Sequence, residues 1–423
     1  MADLDEILRR YTDPSTGSVH GATFIAVDSA GNDLYRSSFG SRTVDRSDPL
    51  TPDTLTWIAS QSKLATSVAA MQIVEKGLIG LDDDVRDVLP VLKDLKVLVG
   101  FEVDLDKMKP SGKPILEDVK GKITLRQLMS HTSGFCYDLG SPLLLKWSAA
   151  TGRTDNMFSG KIEGSLHPLL FQPGESWMYS PGLDWVGQVV EALTKQNLDT
   201  YMQENIWGPL GAKSTTFYPT KHFHPEPVPQ LHETAQRSNP AESPKALDSE
   251  PATSPWPISP RDAIGGAGLY GTANDYIKLL SCLLQGGGPL LKKESVDEMF
   301  RPQIGKGSTE AFHASIVAGG RDRLWRPSSA ATAAATVAAA EEQGSVTGGH
   351  CLAGAVNLED VPGRRRRGTV NWGGLPNLFW WVDREGGVAG TLFNQIIPAG
   401  DPLCMDLLVE LEEALYRLKE QKA

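Results

Sequence analysis

Ser60-Gln61-Ser62-Lys63 is the sole S-x-x-K in the chain, and it offers a hydroxyl and an amine three residues apart. On a helix, positions i and i+3 share a face, so Ser60 Oγ and Lys63 Nζ can meet. A serine hydroxyl attacks a carbonyl only when a base removes its proton. A lysine serves as that base only where burial or a neighbouring cation lowers its pKa. The pair therefore calls for a third group. Tyr179-Ser180-Pro181-Gly182 supplies a phenol on a loop just before a helix expected to start near Leu183. Trp372-Gly373-Gly374-Leu375 lies in an alternating, strand-like run, where glycines admit a substrate close to the backbone and a strand edge can offer an N–H to an oxyanion. Spacing leaves open whether Lys63 or Tyr179 is the base.

The elements that must hold these groups follow from periodicity. Residues 21–27 and 32–39 flank Ser29-Ala30-Gly31 and read as a β-hairpin, while further strand-like runs come late, at 368–372, 378–382 and 388–393. Mostly helical patterns lie between, including 61–75, 183–193 and 275–284. Strands from both ends must pair if neither is to leave bare edges. The predicted fold is α+β: an antiparallel sheet formed from both chain ends, flanked by terminal helices, with an inserted, mostly helical lobe. Asp401 and Pro402 start the last helix, whose Leu403, Leu407, Leu411, Leu415 and Leu418 recur at helical spacing. The division expected is one catalytic domain over 1–423, with an α/β lobe of 1–58 and 265–423 and a helical lobe of 59–264. Residues 220–262 and 305–349 read as long loops, the second a poorly packed, low-complexity insertion.

Composition narrows the function. A net charge of −11 over 423 residues argues against nucleic acid or an anionic membrane as partner. No apolar stretch is long enough to span a bilayer, and the acidic start lacks the basic and apolar regions of a secretory signal. Cys136, Cys282, Cys351 and Cys404 are scattered without C-x-x-C spacing, which fits reduced thiols in the cytoplasm. His222, His224 and His232 sit in a Pro-rich run without a matching ligand pattern and read as a surface loop, so no metal is expected. Gly266 to Gly271 fits G-x-G-x-x-G, yet a Pro-rich loop precedes it where a buried strand should stand. It reads as a structural turn followed by a helix cap from Thr272 to Asp275. Arg364 to Arg367 reads as a solvated turn without a role.

At Ser60 to Lys63, Tyr179 and Trp372 to Leu375 the chain resembles the serine β-lactamase and penicillin-binding protein superfamily. It is closer to the class C-like esterases and fungal transesterases within it. Further shared stretches are Ile123 to Leu128 leading into His131-Thr132-Ser133-Gly134, Pro173-Gly174 before Tyr179, Leu183-Asp184-Trp185, and Gly265 to Leu269. The resemblance implies a β-lactamase/transpeptidase-like fold without a cofactor, and Ser60 as nucleophile. Lys63 and Tyr179 would share the proton work, and the backbone N–H groups of Ser60 and Leu375 would form the oxyanion hole. Trp57, Trp372, Gly373 and Gly374 would line the substrate pocket, and His131 would be structural. Three departures stand out. Trp372 replaces the lysine of Lys-Thr-Gly, Gly182 stands where transesterases carry asparagine, and Trp57 stands where a transesterase has arginine. The function implied is acyl transfer, in secondary metabolism, to a small-molecule alcohol from an ester or from an acyl thioester on CoA or an acyl carrier protein. An intracellular carboxylesterase of the same mechanism is the alternative, and a non-catalytic ligand-binding relative the third reading.

Overall fold

Strand-forming runs from the two ends of the chain pair with each other. In the computed structural model, which describes residues 1–104, 109–237, 251–325 and 346–421, Gly21–Asp28 (β1) and Asp33–Gly40 (β2) form the expected hairpin. Asp28 Oδ1 closes it by accepting from the N–H groups of Ala30 and Asn32, both at 2.9 Å. From the other end come Gly348–His350 (β3), Ala355–Asn357 (β4), Val370–Gly374 (β5), Leu378–Asp383 (β6) and Val388–Phe393 (β7). They complete a seven-stranded sheet of order β2-β1-β7-β6-β5-β4-β3, antiparallel at each pairing. Phe24 stands opposite Leu392, and Trp372 opposite Trp380. Gly390 has no substitute in this sheet, because a Cβ there would lie 2.3 Å from the Trp381 ring.

The helices that bear on the site are Ala2–Thr12 (α1), Ser62–Glu75 (α2), Gly182–Thr194 (α3), Ala273–Leu284 (α4), Lys306–Ala318 (α5) and Pro402–Glu420 (α6). Leu4 and Leu8 of α1 and Leu407, Leu411 and Leu415 of α6 bury one face of the sheet with Phe24 and Trp381. The Asp401 carboxylate caps α6 by accepting from Cys404 N–H at 2.9 Å, as its sequence position implies. Tyr276, Ile277 and Leu280 of α4 bury the other face with Ile25 and Phe393, in a core that continues into α2 and α3.

Four expectations need correction. A long hairpin, Lys96–Asp104 with Lys109–Asp118, lies where no strand was expected; Gly100, Pro110, Gly112 and Pro114 interrupt its alternation, and its register shifts twice. Residues 305–349 are not loop throughout: α5 packs Phe312 and Ile316 into the core beside Leu324 and Trp325. The part of that insertion at 326–345 lies outside the described residues. His232 is buried edge-on to His20, with ring centroids 4.9 Å apart, because the chain around it rejoins the fold through Thr234–Gln236, paired with Ile396–Ile397. Arg364 and Arg365 are buried, and both grip the carboxylate of Glu412 on α6.

Burial raises the pKa of Glu412, but the two guanidinium groups outweigh it and leave the carboxyl below its usual value. A carboxyl depressed on folding contributes stability above its unfolded pKa and loses it as pH falls through the folded one. Glu412→Gln leaves two buried cations without their counter-ion and should cost about 3–5 kcal/mol in urea unfolding at pH 7. Part of that difference should vanish as the wild type is taken below pH ~4, near and below the reference pKa of a glutamate. An equal gap at both pH values would refute the assignment.

Candidate active site

Ser60 sits on a 3-10 turn, Ala59–Gln61, that runs directly into α2. Helix α2 reads Leu64-Ala65-Thr66-Ser67-Val68-Ala69-Ala70 and is buried on all sides, which anchors the nucleophile from below. Ala59 takes a left-handed φ of 46°, a conformation that costs an L-residue roughly 1–2 kcal/mol. Ser62 holds it there: its Oγ donates to Ala59 O at 2.6 Å and accepts from Leu269 N–H at 3.0 Å.

The 265–271 segment is a brace for the nucleophile. Thr66 Oγ1 donates to Gly265 O at 2.7 Å, Lys63 Nζ donates to Gly266 O at 2.7 Å, and Trp57 Nε1 donates to Ala267 O at 2.7 Å. Thr272 Oγ1 accepts from Asp275 N–H at 3.1 Å, the helix cap expected from sequence.

Lys63 is 4 % exposed and donates three hydrogen bonds among the described residues. Its Nζ donates to Ser60 Oγ at 3.1 Å and to Tyr137 Oη at 2.9 Å, besides Gly266 O. Tyr179 stands over the same amine, 4.7 Å from Nζ to its ring centroid, but its hydroxyl is directed elsewhere and accepts from Trp372 Nε1 at 3.2 Å. Two phenols thus flank the lysine, with ring centroids 5.3 Å apart. Tyr137 was not found by sequence reasoning, and the only signal for it is its place three residues beyond the His131-Thr132-Ser133-Gly134 turn. Burial, with Asp184 and Tyr179 nearby, pushes its phenol well above the usual value, so it stays protonated.

Asp184, on the first turn of α3, was also missed as a site residue. Its carboxylate accepts from Gly266 N–H at 2.7 Å and from Ser165 Oγ at 2.9 Å. Gly266, whose carbonyl receives Lys63, is therefore also held through its N–H. Burial raises the Asp184 pKa to about 6 against the opposing effect of Lys63 and these two donors. His131 Nδ1 pairs with Ser180 Oγ at 2.9 Å, and the ring lines the small cavity beside Ser60 and Lys63 together with His350.

The strand edge closes the site. Gly374 comes so near the nucleophile turn that a Cβ on it would lie 2.6 Å from Ile58 O and 3.5 Å from Ala59 Cβ, which brings the peptide leading to Leu375 alongside Ser60. Trp372 borders the Ser60 cavity, and Gly373 and Gly374 line the adjoining cleft. Trp57 is in neither lining. It stacks on Trp256 at 6.0 Å within a separate apolar cluster that includes Leu375.

A half-buried serine touching a buried lysine between two phenols, beside a glycine strand edge, is an arrangement for acyl chemistry. The family described as Beta-lactamase matches residues 4–401. The chain belongs to the β-lactamase family. Its relatives there include a lovastatin esterase of Penicillium rubens, 33% identical over 409 residues and 95% of either chain. A monacolin J acid methylbutanoyltransferase of Aspergillus terreus is 32% identical over 411 residues, 95% of this chain and 93% of its own. Among solved structures, a mutant of simvastatin synthase (LovD) from Aspergillus terreus has a TM-score of 0.82 at 31% identity and covers 99% of this chain and 95% of that one. The fold is the β-lactamase/transpeptidase-like α+β fold. This member of the β-lactamase family is an enzyme of the branch that holds acyltransferases and serine esterases. Among its described residues no helix is long and apolar enough to cross a membrane.

Proposed function

We propose that the protein transfers an acyl group from a thioester or ester donor to a small-molecule alcohol through an acyl-Ser60 intermediate. The observation that carries this is the contact of 3.1 Å between Lys63 Nζ and Ser60 Oγ, in a site whose other walls are Tyr137, Tyr179 and Trp372. Ser60 Oγ attacks the acyl carbonyl and its proton passes to the Lys63–tyrosine group. The backbone N–H groups of Ser60 and Leu375 receive the developing oxyanion, each such donor contributing about 3 kcal/mol. Collapse expels the thiol or alcohol of the donor with that proton, and the acceptor alcohol then attacks the ester carbonyl, its proton passing through the same group to Ser60 Oγ as the acyl–Oγ bond breaks. A thioester donor would be carried on CoA or on an acyl carrier protein. Four buried, unpaired cysteines support a reducing compartment, and we place the enzyme in the cytoplasm.

Aromatic walls support transfer over hydrolysis, because an apolar cleft excludes water while stacking a bulky alcohol. Hydrolysis to a free acid is the second reading, favoured by the full-length similarity to an esterase. The two separate in one assay. Butyryl thioester is used to load Ser60, and polyketide alcohols are added at about millimolar concentration, within the usual range of KM. Ester should form faster than butyrate although water is in vast excess, since an oriented alcohol competes through position as well as concentration. Free butyrate alone, at every acceptor, would replace the transferase by the esterase.

A further inference from the structure

Arg321 ends the turn that closes α5. Gly320, at a φ of 63°, allows Arg321 N–H to donate to Ile316 O at 3.0 Å. The guanidinium carbon then lies 5.9 Å from the centroid of the Trp372 ring, and Trp372 is the residue that donates to Tyr179 Oη. Arg321, Trp372, Gly373, Gly374 and Asn377 line one partly open cleft. A positive charge thus stands one ring away from the proposed proton-transfer group.

The chain pairs its most buried arginines with carboxylates. Arg237 meets Asp401, Arg153 meets Asp138, and Arg364 and Arg365 share Glu412. Among the described residues no carboxylate pairs with Arg321, in a protein that carries 52 acidic side chains. Burial lowers its pKa, with Tyr179 acting in the opposite direction. Contact with the Trp372 face uses none of the five N–H donors of the guanidinium, and among the described residues no acceptor receives them, so they stand open to the cleft and its solvent. Those donors form a planar fork that matches two oxygens of one oxyanion.

We propose that Arg321 anchors a carboxylate or phosphate carried by one of the two substrates of the acyl-enzyme. The inference rests on the acyl-enzyme reading of Ser60 for the identity of those substrates. The oxyanion belongs either to the acceptor alcohol, as a hydroxy acid, or to the thiol carrier of the donor, as the phosphates of CoA. With its anion on Arg321, the substrate spans the cleft past Trp372 towards Ser60, and that fixes which end of it reacts.

Equilibrium binding tests this without turnover. Titration calorimetry compares Ser60→Ala with Ser60→Ala/Arg321→Met and Ser60→Ala/Arg321→Lys. The acceptor arm uses 8-hydroxyoctanoate and its methyl ester, and the donor arm uses butyryl-CoA and the butyryl thioester of N-acetylcysteamine. In one arm the ratio of anionic to neutral affinity should fall about 10- to 100-fold with Met and recover in part with Lys, as expected for a charged hydrogen-bonded pair. The arm that responds names the source of the oxyanion. An unchanged ratio in both arms, an equal loss for both members of each pair, or no measurable binding of either anion at millimolar concentration overturns the proposal. Intact mass of the Ser60 protein with butyryl-CoA runs alongside, and a missing adduct there would sink the acyl-enzyme reading while leaving the calorimetry interpretable.

Discussion

Replacing Ser60 by alanine is expected to lower kcat/KM for p-nitrophenyl butyrate by about 10⁴- to 10⁶-fold, the scale on which loss of a nucleophile is felt. The fold should survive. Ser60 is half-buried and, among the described residues, its hydroxyl is engaged by Lys63 alone, so removing it leaves the amine held by Tyr137 Oη and Gly266 O. The brace around the turn runs through Ser62, Thr66 and Trp57, none of which touches the deleted oxygen. Two measurements are needed together: an unchanged circular dichroism spectrum and melting curve, and loss of the +70 Da butyryl adduct, the mass of a butyryl group less one proton. A folded alanine variant that keeps most of its activity would remove Ser60 from the mechanism.

Ser60 and Lys63 were legible because their relation is local: the i to i+3 spacing survives whatever the remainder of the chain does. Tyr179 was legible as a phenol before a helix, but the direction of its hydroxyl was not, since that depends on Trp372 from a strand 193 residues away in sequence. Tyr137 had no spacing relation to Lys63 at all. Its contact is made by the core that seats Phe135 against Trp185 and brings the following residues over α2. The sheet from both chain ends followed from the need to pair strand edges, and it is the sheet observed.

Charge runs misled because a run of arginines says nothing of its counter-ion. The pertinent signal lay on α6, where Glu412 occupies the face of Leu408, Leu411 and Leu415, a position an unpaired carboxylate does not hold. Low-complexity composition misled in the same way at α5, where Phe312 and Ile316 stand four apart and bury one face of an otherwise small-residue helix. In both places a single long-range partner outweighed local composition. The hairpin at 96–118 is the reverse case, in which local breakers hid pairing that the tertiary structure supports.

The two tyrosines beside Lys63 should be separable by the leaving group of the substrate. Tyr137 Oη receives Lys63, whereas Tyr179 Oη accepts from Trp372 and keeps its own proton available to the cleft. If Tyr179 delivers that proton to the departing oxygen, its removal matters most where the leaving group is a poor one. Tyr179→Phe is then expected to lose about 10³- to 10⁴-fold in kcat/KM on ethyl butyrate but about 10-fold or less on p-nitrophenyl butyrate, whose phenolate departs almost unaided. Tyr137→Phe acts on the lysine and therefore on the attack by Ser60, which both esters require, so its loss of about 10²-fold should be the same for each. Lys63→Ala combined with Tyr137→Phe should fall little below Lys63→Ala alone, because groups that act as one unit are not additive. Equal losses on both esters for Tyr179→Phe would transfer the proton-donor role away from Tyr179, and full additivity of the Lys63 and Tyr137 variants would break the pairing drawn between them.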